Sequence, residues 1–187
     1  MKIIVGLGNP GKEYTNTPHN AGFIAVEQLV SYLAKRDYQI YPWTELKKER
    51  SKVAEVYLPN TGRIAVLVMP QTFMNLSGGA VQQIMQKYGV KHAEDVMIIY
   101  DELDIELGGF KYSPIKNSRT HNGIASVIST VGKAVHSLRI GVNNRKGSPI
   151  SGLDYVLRPY RQNEMDTLIS AVSRGIEQHV LPFLDIV

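Results

Sequence analysis

The sequence predicts an α/β protein in which helices cover a mostly parallel or mixed sheet. Short apolar runs rich in β-branched residues alternate along the chain with stretches whose apolar residues recur at helical spacing. The 187 residues, 43% of them hydrophobic and 20% charged, suit one domain with its own core. Because no repeat and no linker divides the chain, we expect a single domain over residues 1–187.

The apolar pattern predicts each element in order. Strands are predicted at residues 2–7, 53–58, 63–69, 96–100, 110–113 and 138–142. Helices are predicted at residues 21–35, between Ser77 and Gly89, and at residues 124–135 and 163–180. Residues 59–62 have the composition of a hairpin turn, and residues 143–152 form the most loop-like segment.

Composition excludes several classes of function. The chain has no cysteine, which removes disulfides, thiolate zinc sites, iron–sulfur clusters and cysteine nucleophiles. No apolar run approaches the ~20 residues that span a bilayer. The sequence enters a strand-like run directly after Met1, without a signal or transit pattern. We therefore expect a soluble, cytoplasmic protein with no membrane partner.

The positive charge of the chain is concentrated in one segment. The net charge is only +4, but residues 107–161 contain a single acid, Asp154. The basic residues of the same segment are Lys111, Lys116, Arg119, Lys133, Arg139, Arg145, Lys146, Arg158 and Arg161. This asymmetry favours a face that binds a polyanion, and the alternative is a solvated basic surface without a partner.

Residues 6–11, Gly-Leu-Gly-Asn-Pro-Gly, match the G-x-G-x-x-G pattern directly after the first strand. Dinucleotide binding by that pattern requires a helix that opens at the third glycine. Here Pro10 removes an amide donor, and Pro18 stands among several turn formers before the helical period begins. The glycines instead favour a sharp turn that presents Asn9 in a cleft at the carboxyl edge of the sheet.

Two His-Asn pairs, at residues 19–20 and 121–122, each stand in a loop just before a predicted helix. Asparagine both donates and accepts hydrogen bonds, so these pairs, together with Asn9 and Asn75, suit a polar substrate that carries amide groups. The alternative role for the asparagine of each pair is helix capping.

Asp101 directly follows the strand predicted to end at Tyr100, where a carboxylate orients a histidine, binds a metal or faces solvent. A metal site of His19, His121 and Asp101 is conceivable, but the sequence lacks a specific metal spacing such as His-Glu-x-x-His. A Gly-x-Ser-x-Gly serine nucleophile is also absent. A histidine base that activates water is therefore the most economical hydrolytic chemistry, because an imidazole titrates near pH 6.5.

Four stretches spread through the chain carry candidate motifs, and the first of them, with the His-Asn that follows it, is highly specific. They are residues 6–11 with Tyr14, Thr17, His19-Asn20 and Gly22; residues 70–78 with Thr72, Met74, Asn75 and Ser77; residues 101–104; and His121-Asn122-Gly123 followed by Arg139-Ile140-Gly141. With these stretches over nearly its whole length, the chain resembles the bacterial-type peptidyl-tRNA hydrolases. The resemblance implies an α/β/α sandwich around a mixed central sheet, a monomer, and no metal or organic cofactor. The implied reaction is hydrolysis of the ester between a peptide and the 3′-terminal ribose of tRNA.

The resemblance also implies a role for each matching residue. It makes His19 the catalytic base and Asp101 the carboxylate that orients it. The other implied roles are to hold the peptide and the attacking water (Asn9, Asn75, Asn122), to position the tRNA end (Tyr14), to line the cleft (Met74, His121) and to bind phosphate (Arg139). The charge of the 107–161 segment adds Arg145 and Lys146 as predicted phosphate-binding residues.

The sequence departs from the family pattern near the predicted site. Pro18 stands where a basic residue is usual before His-Asn, Met69 stands where lysine is common, and residues 117–120 and 142–145 lack the usual glycines. These departures keep the predicted acid–base residues but change the loops that would hold substrate. Two hypotheses stay open: a peptidyl-tRNA hydrolase, and a non-catalytic or weakly active RNA-binding paralogue of the same fold.

Overall fold

The computed structural model describes residues 1–36, 38–59, 61–115 and 121–186. Eight strands in these ranges form one mixed sheet. The strands are β1 (Lys2–Gly6), β2 (Gln39–Ile40), β3 (Thr44–Leu46), β4 (Ser51–Leu58), β5 (Gly62–Pro70), β6 (Val96–Glu106), β7 (Phe110–Pro114) and β8 (His136–Asn143). The departure from the family pattern at residues 117–120 lies outside the described residues.

The order of strands in the sheet is β2-β4-β5-β1-β6-β8-β7, and β3 also pairs with β4. β1 lies parallel to both β5 and β6, and β6 lies parallel to β8. β4 and β7 lie on opposite sides of these parallel strands, and each runs antiparallel to its neighbour, β5 or β8. The parallel strands therefore bring their carboxyl ends to one edge, where open α/β sheets bind ligands.

Helices cover both faces of this sheet. They are α1 (Ala21–Ala34), α2 (Ser77–Tyr88), α3 (Asn122–Val131), α4 (Gly152–Leu157) and α5 (Gln162–Gly175), which continues into a π-helical turn (Ile176–Val180) and a last helical turn (Leu181–Phe183). Alternate residues of a strand point to opposite faces. Ile4 accordingly packs in the core beneath α1, α4 and α5, while Ile3 and Val5 pack in the core beneath α2 and α3. The predicted α/β/α sandwich with a mixed sheet is confirmed.

The sixth strand is longer than the sequence predicted. β6 continues past Tyr100 to Glu106, and Asp101 pairs in register with Ile140 of β8. Asp101 therefore lies within a strand rather than after one. The prediction stopped early because the continuous apolar run ends at Tyr100, although strand alternation resumes with Leu103 and Ile105.

Other boundaries also differ from the prediction. α3 ends at Val131 rather than at residue 135, because Gly132 adopts a positive φ of 100° that ends the helix. β2, β3 and α4 were not predicted, since each is too short to show a period. α4 begins at Gly152, the last residue of the segment predicted as loop. No described helix is long and apolar enough to cross a membrane.

Candidate active site

The segment between β1 and α1 brings His19 to the carboxyl edge of the sheet. His19 lies in a short 3-10 turn, Pro18–Asn20, directly before α1. The start of α1 approaches β1 so closely that a Cβ added at Gly22 would lie 2.4 Å from the Leu7 amide nitrogen and 2.3 Å from the Ile99 carbonyl oxygen. Glycine at this position therefore permits the packing that fixes His19 over the sheet.

The helix that dinucleotide binding would require does not open at Gly11. Only a 3-10 turn, Lys12–Tyr14, follows Gly11, and α1 begins at Ala21. The described residues therefore support the interpretation of residues 6–11 as a turn and not as a dinucleotide-binding loop.

Asn9 joins two loops at the same edge, its own loop between β1 and α1 and the loop after β5. Its backbone nitrogen donates to Asn20 Oδ1 at 2.8 Å, and Asn20 Nδ2 donates back to the Asn9 carbonyl oxygen at 3.0 Å. Asn9 Oδ1 also accepts from the Met74 amide at 2.9 Å, which fixes the loop after β5. Asn20 makes no side-chain capping bond to α1, so its predicted alternative role as a cap is wrong.

Asp101 forms hydrogen bonds with two histidines. His19 Nδ1 lies 3.0 Å from Asp101 Oδ1 and 3.1 Å from Oδ2, and His121 Nε2 lies 2.9 Å from Oδ1. Asp101 is 3% exposed and His19 is 13% exposed. The sequence predicted the His19–Asp101 pair, but for His121 it offered only a role in lining the cleft or in a metal site, not a hydrogen bond that supports the carboxylate.

The hydrogen bonds assign different tautomers to the two histidines. His121 occupies the N-cap position of α3, where its Nδ1 accepts from the Ile124 amide at 3.3 Å, so its Nε2 carries the hydrogen that is donated to Asp101. Capping of α3 by Asn122 is therefore wrong. His19 donates from Nδ1 to Asp101, and among the described residues its Nε2 has no hydrogen-bond partner. His19 is thus the histidine with a lone pair available to accept a proton.

The charges of this cluster keep Asp101 ionised. Burial alone would raise the pKa of Asp101, but the neighbouring His121 and His19 lower it well below its usual range. Burial lowers the pKa of His19, whereas the charge of Asp101 and the hydrogen bond to it raise that pKa, and the net result is a raised value. The pair therefore consists of a permanent carboxylate and a histidine made more basic by it.

A cavity of about 260 Å³ lies against the cluster. His19, Asp101 and His121 line it together with Asn122, and its apolar wall consists of Leu103, Leu153 and Val156. We call it the catalytic cavity. Asn122 is exposed at its rim as the first residue of α3. A polar end and an apolar wall suit a substrate with both amide and side-chain groups.

The remaining predicted substrate residues are distributed around this edge. Met74 is buried and held through its backbone by Asn9, while the next residue, Asn75, is exposed. Tyr14 is half-buried at the end of the 3-10 turn that follows Gly11. The residues that line the catalytic cavity do not include Asn9, Tyr14, Met74 or Asn75.

The predicted phosphate-binding residues lie in two separate places. Arg139 on β8 pairs in register with Tyr100 and so points to the α2–α3 face of the sheet; its Nη2 donates to Ser113 Oγ at 3.4 Å. Its buried Nε has no hydrogen-bond partner within the described ranges. Arg145 and Lys146 follow β8 and line a different cavity, so the structure does not bring them together with Arg139.

The cluster also contains a set of atoms that could hold a metal ion. The ligand atoms of His19, Asp101 and His121 all lie within 4.8 Å of one another. The nitrogen–oxygen distances of 2.9 and 3.0 Å are hydrogen-bond lengths, and the same nitrogens already donate to Asp101. Hydrogen bonding accounts for the arrangement, and a chelator tests the metal alternative directly.

Two features of the site escaped sequence reasoning. The contact of His121 with Asp101 joins residues 20 positions apart, and nothing in the spacing of the two residues indicates it. The reciprocal bonds between Asn9 and Asn20 had a weak signal, since both residues stand in the loop between the first strand and the first helix. These bonds make Asn20 a supporting residue of the site.

The site can activate water with one histidine, orient that histidine with a buried carboxylate, and offer amide groups and basic side chains nearby. The fold and the site therefore fit a hydrolase that activates water with a histidine base.

Comparison with known proteins gives the family. The model of the peptidyl-tRNA hydrolase family matches residues 3–184, and the chain belongs to this family. It is 39% identical to the peptidyl-tRNA hydrolase of Exiguobacterium sibiricum, over 94% of this chain and 90% of the relative. It is 33% identical to that of Rickettsia conorii, over 93% of this chain and 89% of the relative. A crystal structure of the peptidyl-tRNA hydrolase from Acinetobacter baumannii superposes with a TM-score of 0.78 at 30% identity, covering 99% of this chain and 93% of that one.

Proposed function

We propose that this enzyme hydrolyses the ester between a peptide and the 3′-terminal ribose of tRNA, with His19 as the base that activates water. The observation that carries the proposal is the bond from His19 Nδ1 to the buried Asp101, which leaves His19 Nε2 available. Membership of the peptidyl-tRNA hydrolase family supports the same substrate.

The proposed reaction begins when water donates a proton to His19 Nε2 and its oxygen attacks the ester carbonyl. The tetrahedral intermediate then collapses, the bond between the carbonyl carbon and the ribose oxygen breaks, and the proton on Nε2 passes to the departing ribose oxygen. Asp101 holds Nδ1 protonated and stabilises the imidazolium that forms. The pKa of Asp101 is lowered by the two histidines, so the carboxylate stays ionised throughout. His121 acts as a second donor that fixes the carboxylate, because its own Nδ1 is engaged by the Ile124 amide.

Asparagine amides supply the proposed contacts to the peptide and to the developing oxyanion. Asn122 lies at the rim of the catalytic cavity. Asn9 accepts a hydrogen bond from the Met74 amide, and Asn75 is the next residue of the same loop after β5. Amide groups recognise a peptide backbone whatever its side chains are. Loss of one donor to an oxyanion typically lowers the rate about 10²–10³-fold.

The tRNA part is proposed to bind through phosphate contacts with Arg139, Arg145 and Lys146, with Tyr14 against the tRNA end. Such contacts give affinity without reading a base sequence. We further propose that the enzyme acts as a monomer, as the family resemblance implies, and in the cytoplasm, where translation supplies peptidyl-tRNA.

The test of the function is multiple-turnover cleavage of N-acetyl-aminoacyl-tRNA by the wild-type protein. We expect release of N-acetyl amino acid and free tRNA, with and without a chelator. Binding of tRNA without cleavage would support the RNA-binding paralogue instead. Cleavage that a chelator abolishes would support a metal-dependent hydrolase.

A further inference from the structure

A second cavity, of about 440 Å³, lies between the loop after β8 and the segment that joins α4 to α5. Its lining includes four basic side chains, Arg145, Lys146, Arg158 and Arg161, and one acid, Glu164. We call it the basic cavity. Its other lining residues are polar or aromatic except Ile150.

The single acid of the basic cavity is already neutralised. Arg158 donates to Glu164 through Nη1 and Nη2, at 3.1 and 2.8 Å, and Asn144 Nδ2 and the Arg161 amide donate to the same carboxylate at 2.9 Å each. These bonds, led by those from Arg158, lower the pKa of Glu164 to about 2. Glu164 is therefore ionised, and its charge is balanced by Arg158 alone.

The other three cations lack an acidic partner in the described part of the chain. No described carboxylate lies within ion-pairing distance of Arg145, Lys146 or Arg161. Arg145 is oriented by its own Nε, which donates to Asn143 Oδ1 at 3.1 Å. Lys146 has a positive φ of 48° at the tip of a turn closed by the Ser148 amide. A non-glycine residue in this conformation is strained, and such strain is often retained where it serves binding.

The basic cavity lies on the other side of α4 from the catalytic cavity. Gly152, Leu153 and Val156 of α4 line the catalytic cavity, while Tyr155 of the same helix lines the basic cavity. The Tyr155 hydroxyl donates to the Val142 carbonyl oxygen at 2.9 Å and so fixes α4 to the end of β8. A helix is about 10 Å across, which a single nucleic-acid strand crosses within a few nucleotides.

We propose that the basic cavity binds a phosphodiester group of the unpaired 3′ end of the tRNA, through Arg145, Lys146 and Arg161. This proposal rests on the proposed function, because it requires the 3′-terminal ribose to lie at His19. A concave site with three cations that lack an acidic partner fits one phosphate of a flexible single strand. It fits the broad surface of a nucleic-acid double helix less well. Arg139 points to the opposite face of the sheet and is left to contact another part of the tRNA.

Binding of the trinucleotide CpCpA tests the cavity without any chemistry. It is measured by calorimetry at low salt for the wild type and for the double variant Arg145→Gln/Arg161→Gln, with adenosine as the ligand that carries no phosphate. We expect the variant to bind CpCpA at least about tenfold more weakly and adenosine equally well. Lys48→Gln/Lys91→Gln removes the same charge from exposed lysines outside the cavity and should leave both affinities unchanged.

Inorganic phosphate separates a strand-binding site from a site for the free ion. If the proposal is correct, phosphate competes weakly with CpCpA for the wild type and does not change the CpCpA affinity of the double variant. If phosphate binds but the double variant keeps full affinity for CpCpA, the cavity is a free-anion site and the proposal is wrong. Lys146→Gln gives a second variant of an exposed side chain and should show a smaller loss of CpCpA affinity.

Activity on two esters completes the test. In the double variant, kcat/KM for N-acetyl-aminoacyl-tRNA should fall at least about tenfold, while kcat/KM for the 2′(3′)-N-acetyl-aminoacyl ester of adenosine stays unchanged. An equal loss on both esters would contradict the proposal, because it would mean that the substitutions disturb the catalytic cavity. If the wild type cleaves neither ester but CpCpA binding still depends on the cavity, the proposed function fails and the phosphate site stands.

Discussion

The Nδ1 atom of His19 lies 3.0 Å from Oδ1 of Asp101, and this one contact determines which nitrogen of His19 can take a proton from water. The same oxygen accepts from His121 at 2.9 Å, so the carboxylate is held between two rings. Because the Ile124 amide engages the other nitrogen of His121, the two histidines are not interchangeable. The arrangement makes one histidine the base and the other a support for the carboxylate.

The first prediction concerns pH. His19 must be neutral to accept a proton, and Asp101 raises its pKa, so kcat/KM should rise with pH through an inflection above 6.5. The Asp101→Asn variant removes the charge that raises this pKa, so its residual activity should show an inflection at lower pH. The pH profiles of kcat/KM for both proteins check this. An inflection that stays in place in the variant would mean that Asp101 does not act on the base.

The second prediction separates two asparagines. Asn9 Oδ1 accepts from the buried Met74 amide, so Asn9→Ala should destabilise the fold by about 1–3 kcal/mol as well as lower activity. Asn75 is exposed and makes no hydrogen bond through its side chain within the described residues, so Asn75→Ala should lower kcat/KM with little change in stability. Urea unfolding and kcat/KM are measured for both. Equal stability losses would contradict the different roles assigned here.

The third prediction concerns salt. Arg139 is half-buried, and the one hydrogen bond of its guanidinium within the described ranges is a long one, from Nη2 to Ser113 Oγ at 3.4 Å, so we expect the guanidinium to be available to a phosphate of tRNA. Arg139→Ala should weaken binding similarly for different tRNAs and reduce the slope of log affinity against log salt by roughly one. Lys91→Ala, an exposed lysine ahead of the amino end of β6, serves as the control and should leave the slope unchanged. A wild-type slope in Arg139→Ala would show that this side chain faces away from tRNA.

The fourth prediction concerns the packing that positions His19. Gly22→Ala would bring a Cβ to 2.4 Å from the Leu7 amide nitrogen, and backbone on both sides leaves no room to adjust. We expect a loss of stability of about 1–3 kcal/mol or more. Gly79→Ala in α2 meets only the Arg50 Nη2 at 3.5 Å and should be neutral or stabilising. Thermal unfolding of the two variants checks this, and a Gly22→Ala protein as stable as wild type would contradict the close approach.

The sequence predicts much of the fold because its core strands are apolar runs and α1, α2 and α5 carry a clear helical period. It does not predict α4, which has only six residues, although this helix separates the catalytic cavity from the basic cavity. The extension of β6 is also missed, since Asp101 interrupts the apolar run that signals the strand. Short elements and polar strand ends depend on tertiary pairing, which no local pattern records.

The candidate site, like the fold, was predicted where local sequence signals exist and missed where tertiary contacts decide. His19 and Asp101 are predicted from their positions near the ends of elements and from the family resemblance, and the structure brings them into contact. The role of His121 depends on a hydrogen bond between β6 and the start of α3, which only the fold creates. The basic residues cluster in sequence but divide in space, because Arg139 points to one face of β8 while Arg145 follows the end of the strand.

The central claim is that His19 and Asp101 act as one unit in a single chemical step. Its most direct test is single-turnover cleavage of N-acetyl-aminoacyl-tRNA by the wild type, His19→Ala, Asp101→Asn and the double variant, each with and without a chelator. We expect His19→Ala to lose about 10²–10⁴-fold in rate while still binding tRNA, and Asp101→Asn to lose less. The double variant should be little slower than His19→Ala, because both residues serve the same step, and the chelator should change nothing. Cleavage by His19→Ala at near the wild-type rate, or loss of wild-type activity with chelator alone, would contradict this mechanism.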